Sequence, residues 1–113
     1  MLDSDMTGDI LPLHFLSSSV FVGTETEGWT LDEFVAEHSE GRSFVVPIEF
    51  STPFSSAPVV HLGLTGFDLA QETSARLRLN ASDITPYGFS AILSTWRSTR
   101  VYSAEFQWFA AGS

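Results

Sequence analysis

The chain has 113 residues, 14 acidic against five basic side chains for a formal net charge of −9, and no cysteine. That length suits one folding unit with its own core, the missing thiols exclude disulfides, zinc-thiolate sites and cysteine nucleophiles, and the negative charge disfavours nucleic acid and anionic lipid as partners. No apolar run approaches the roughly 18 residues of a membrane span, and the start, Met1 to Asp5, lacks the basic and apolar regions of a signal peptide, so membrane insertion is not expected and the compartment stays open.

Residues 1–16 mix acids, Gly8 and Pro12 with a short apolar stretch, and read as an arm. Ser17 to Val22 predicts a strand, and Gly23 to Gly28 is turn-like, so residues 1–28 form an N-terminal arm and first strand, with residues 29–113 as the main domain. Thr30-Leu31-Asp32-Glu33 has the capping-box pattern, in which the Thr hydroxyl and the Glu carboxylate answer each other's free backbone N–H groups. It predicts one short helix around residues 30–40, with Leu31, Phe34 and Val35 facing the core and Gly41 ending it; a loop with capping-like residues is the competing reading.

From residue 43 the period changes to two. In Phe44, Val46, Ile48 and Phe50 every second side chain is apolar, Ser43, Pro47 and Glu49 fall on the other face, and Pro47, which cannot donate to a ladder, argues for an edge strand. Val60, Leu62 and Leu64 alternate again, as do Ala75, Leu77, Leu79 and Ala81 against Arg76, Arg78 and Asn80, which puts the arginines on a polar face. Pro86-Tyr87-Gly88 predicts a turn, Phe89 to Trp96 a strand, Arg97-Ser98-Thr99 a tight connection and Arg100 to Ala110 the last strand. Evenly spaced short strands with one short helix define the expected class: an all-β, small antiparallel β-sandwich, with Trp108, Phe89, Leu77 and Leu79 in its core.

Catalytic and metal-binding patterns are missing: His14, His38 and His61 are isolated, and no GxSxG, HExxH, phosphate-binding glycine loop or EF-hand occurs. No enzyme, no metal site and no cofactor are expected. All five basic residues are Arg, at 42, 76, 78, 97 and 100, with no Lys; this favours planar, multi-donor hydrogen bonding over diffuse charge attraction. The run Thr95-Trp96-Arg97-Ser98-Thr99-Arg100-Val101-Tyr102 sets Trp, Arg and Tyr around one polar turn. An aromatic face for the C–H side of a sugar ring, beside directional donors for its hydroxyls, is the chemistry of carbohydrate binding. The same aromatics also suit plain strand packing.

The segment from Ala57 to Trp108 resembles the H-type lectin domain family of snail agglutinins and slime-mould discoidins. The matching residues are Ala57-Pro58-Val59-Val60, Asp68, Ile84-Thr85-Pro86-Tyr87-Gly88-Phe89, Thr95-Trp96-Arg97-Ser98-Thr99, Val101-Tyr102-Ser103 and Trp108. The resemblance implies a trimer with galactose-type or N-acetylgalactosamine-type sugars bound in clefts between protomers. It assigns Trp96 and Tyr102 as ligand-contacting aromatics, and Arg76 as an arginine reaching across from the adjacent protomer. Arg97 stands where the snail lectins carry His. Ser39, after His38, stands where the family has an Asp acceptor, with Glu37 and Glu40 as substitutes if the loop is shifted. The expected partners are therefore glycans and further copies of the chain, in the setting of an extracellular or particle-surface adhesin. The alternative is an oligomerisation domain of a fibre or particle that has kept the fold without sugar binding.

Overall fold

The period-two segments become six strands in the computed structural model, which describes residues 13–36 and 40–113. They are β1 (His14–Gly23), β2 (Arg42–Glu49), β3 (Val59–Leu69), β4 (Arg78–Thr85), β5 (Gly88–Thr95) and β6 (Val101–Gly112). Two three-stranded sheets result, in the orders β1-β6-β3 and β2-β5-β4, and every pairing is antiparallel. This is the expected all-β sandwich. The two central strands, β5 and β6, follow each other in the chain, so the residues joining them carry the backbone from the middle of one sheet to the middle of the other.

Alternation decides what each sheet buries. β6 sends Ala104, Phe106, Trp108 and Ala110 inward, and β5 opposes them with Phe89, Ala91 and Leu93, all buried. Fully burying one large side chain of this kind stabilises by about 1.5 to 3 kcal/mol. Leu77 and Leu79 pack against this core from partly buried positions. At one end Phe50, Phe54, Phe89 and Trp108 form an aromatic cluster with centroid separations of 5.2 to 5.9 Å. At the other end Trp29 tilts against Phe44 at 5.1 Å, beside fully buried Leu31 and Val101. Pro47 lies on β2, an edge strand, as its missing N–H requires. Gly88 pairs with Glu49 at the turn, and a Cβ there would lie 2.2 Å from the Ile48 carbonyl oxygen, so only glycine fits.

The structure corrects the sequence reading at residues 30–40. No helix occurs among the described residues, and residues 30–36 hold only a turn in which the Glu33 N–H donates to the Thr30 carbonyl at 3.2 Å. The reason is competition for carbonyls. The Leu31 carbonyl accepts from the Val101 N–H at 2.7 Å and the Asp32 carbonyl from Arg100 Nε at 2.7 Å; an α-helix would need both for bonds four residues on. Leu31 is buried as expected and Val35 half-buried, but Phe34 is 81% exposed, not in the core. Residues 75–77 also differ: β4 begins at Arg78, which leaves Arg76 in the preceding connection.

Candidate functional site

The link between β5 and β6 is short and polar, and the structure fixes it from several sides. Arg97 adopts φ 58°, a left-handed conformation that costs a residue with a Cβ roughly 1 to 2 kcal/mol. Arg42, at the start of β2, compensates by donating from Nη2 to the carbonyls of Arg97 at 2.9 Å and Thr99 at 2.7 Å. Its Nη1 also reaches the Leu31 carbonyl, at 3.4 Å. Burial pushes the Arg42 pKa down, and the nearby Glu33 carboxylate acts against that shift.

Two fully buried threonines bracket the turn. Thr95 donates to the Arg76 carbonyl. Thr99 donates to the Ser74 carbonyl at 2.7 Å and accepts from Arg76 Nη1 at 2.9 Å. The residue 70–76 connection is thereby fastened to the link, with the Ala70 N–H donating to the Arg100 carbonyl at 3.0 Å. Below it, the Trp29 indole N–H donates to the Val101 carbonyl at 2.9 Å, and the Thr24 N–H to that of Tyr102 at 3.0 Å. Such a network holds side chains on the turn in place before any ligand arrives, which lowers the ordering cost of binding.

Those side chains are the ones the sequence singled out. Trp96 and Tyr102 are half-buried and Arg97 is exposed. The Arg78 guanidinium lies 4.8 Å from the Trp96 ring centroid. Arg100 stands 5.4 Å from the Tyr102 ring and donates to its hydroxyl from Nη1 at 3.3 Å. Arg76 meets the same turn from within its own chain through Thr99, where strand alternation had it projecting from the polar face of its strand. His38 and Ser39 lie outside the described residues.

Sequence reading did not connect Arg42 or Arg78 to this turn, and it gave Arg100, within the turn's own run, no role. A signal was available, because all five basic side chains are Arg. In the fold every one of them sits in the Trp96 to Tyr102 segment or contacts it. Among the described residues no group of three or more His, Asp or Glu side chains could hold a metal ion. A separate depression of about 360 Å³ lies on the outer face of β1-β6-β3, between Ser17, Ser19, His61, Gly63, Gln107 and Phe109, and shares no residue with the turn.

A six-stranded antiparallel sandwich with an aromatic and arginine-rich turn between its central strands defines a class of small all-β binding domains. The profile of the H-type lectin domain matches residues 45–111, and the chain belongs to that family. It is 35% identical over 72 residues to the product of ATP synthase subunits region ORF 7 of Fuscovulum blasticum, covering 64% of this chain and 63% of that one. It is 31% identical over 70 residues to a discoidin-1 polypeptide of Dictyostelium discoideum, 61% of this chain but 28% of the relative. Discoidin II of the same organism shares the fold, with a TM-score of 0.71 over 89% of this chain and 37% of that one, at 22% identity.

Proposed function

We propose that this domain binds galactose-type or N-acetylgalactosamine-type sugars at the Trp96 to Tyr102 turn, in clefts between the protomers of a trimer, and serves adhesion without catalysis. The observation that carries the reading is the convergence of all five arginines on one turn bearing Trp96 and Tyr102, in a chain of net charge −9. Trp96 supplies an apolar face for the sugar ring, while Arg97 and the Tyr102 hydroxyl supply directional bonds to its hydroxyls. The family resemblance assigns Arg76 of a neighbouring protomer to the cleft; within its own chain Arg76 donates to Thr99 and stands beside the same turn. The family resemblance adds His38 and Ser39 as further sugar contacts.

Assembly is supported by the outer face of β1-β6-β3, where Phe15, Phe21, Val59 and Phe109 are 57%, 68%, 72% and 41% exposed and the Phe15 and Phe109 rings stack at 5.5 Å. Apolar side chains gathered on one face mark an interaction surface. The same face also favours the second reading, an assembly domain of a fibre or particle that binds no sugar. Probing a glycan array with the parent and with Trp96→Ala separates the two. The lectin reading predicts galactose-type signals in the parent that vanish in the variant; an array blank for the parent at assembled concentrations supports the assembly domain.

A further inference from the structure

Phe34 is the most exposed large apolar residue of the described chain, at 81%, yet it is not a loose side chain. Arg100 stacks on it with the guanidinium carbon 3.6 Å from the ring centroid. The Arg100 side chain is itself only 17% exposed, and its partners are the Asp32 carbonyl at 2.7 Å, the Tyr102 hydroxyl at 3.3 Å and the Glu72 carboxylate at 4.0 Å. One largely buried cation therefore orders both the Tyr102 hydroxyl and an aromatic ring on the facing loop. A cation over an aromatic face is worth about 0.5 to 2 kcal/mol, enough to hold a side chain that has few other contacts. With one face against Arg100, the ring leaves its other face open to solvent.

Resting on the carbohydrate reading above, we propose that Phe34 is a second aromatic platform, held by Arg100, that stacks on the sugar residue next to the terminal one. The turn takes the terminal sugar, and the residue 30–36 loop takes its neighbour, so the domain prefers oligosaccharides of neutral sugars over the free monosaccharide. Arg100 is the positioning residue of this arrangement.

Calorimetric titration of the intact protein, its Phe34→Ala variant and its Phe34→Tyr variant with N-acetylgalactosamine, and with a trisaccharide carrying that sugar at its non-reducing end, tests the proposal. The parent binds the trisaccharide more tightly than the monosaccharide by roughly three- to tenfold, the range of an aromatic stacking contact. Phe34→Ala removes that gain and leaves the monosaccharide affinity unchanged, while Phe34→Tyr retains the gain. The platform is overturned if the parent shows no gain, if the gain survives Phe34→Ala, or if both sugars weaken equally. A change in oligomeric mass in Phe34→Ala, read by light scattering, would overturn it too, by making the ring a contact between protomers. A parent that binds neither sugar overturns the carbohydrate reading, and the platform with it.

Discussion

Arg97 carries two opposed demands. Its backbone occupies the left-handed region at φ 58°, where glycine is at no disadvantage, while the proposed site uses its exposed side chain as a hydrogen-bond donor to the sugar. A chain selected for stability alone would favour Gly or Asn here; the strain marks the side chain as the reason for the residue. Comparing Arg97→Gly with Arg97→Ala separates the two roles. Both lose the guanidinium and the same sugar affinity, but Arg97→Gly relieves the strain that Arg97→Ala keeps, so it is more stable by about 1 kcal/mol and melts roughly 4 °C higher. Equal melting temperatures would contradict the strain argument. Residue types were legible here: Trp96, Arg97 and Tyr102 were identifiable from one short run. The left-handed backbone was not, because it follows from joining two central strands in different sheets.

The β5–β6 link is the element on which the rest depends, and long-range side chains hold it. Arg42 lies 55 and 57 residues from the two carbonyls it satisfies. Replacing it by Met keeps the stem that covers the core and removes the donors. Leaving the Arg97 and Thr99 carbonyls unpaired costs about 1 to 3 kcal/mol. Urea denaturation checks this, and a loss under about 0.5 kcal/mol, the level of an ordinary surface change, would show that the link holds itself. The same long-range competition explains what sequence reading got wrong. Local propensity at Thr30 to Glu33 satisfies a helix start, but the carbonyls of Leu31 and Asp32 are claimed by Val101 and Arg100 from across the fold. Strands fared better, since alternation at Phe44, Val46 and Ile48 or at Leu77, Leu79 and Ala81 records a face packed against the core, while Ala75, expected on the same face, is exposed and precedes β4. Their ends shifted by a few residues, as at β4, because termini are set by partners.

Across the whole molecule, the sandwich acts as a rigid base that brings three connections, residues 23–31, 70–76 and 96–100, to one end. That end carries all the positive charge of an acidic chain. The proposed trimer would cover the apolar outer face of β1-β6-β3 and multiply weak single sites through effective concentration; light scattering at tens of micromolar, a range that populates assemblies of moderate affinity, is expected to read three chains, and a monomer there would count against it. Calorimetric titration of N-acetylgalactosamine into the assembled parent and into Tyr102→Ala tests sugar binding at the turn. The prediction is saturable heat with the parent and an affinity weaker by about 1 to 3 kcal/mol in the variant, as for losing one polar contact in a partly buried site, with fold and assembly unchanged. No heat with the parent for any galactose-type sugar, or equal affinity in both proteins, would contradict it.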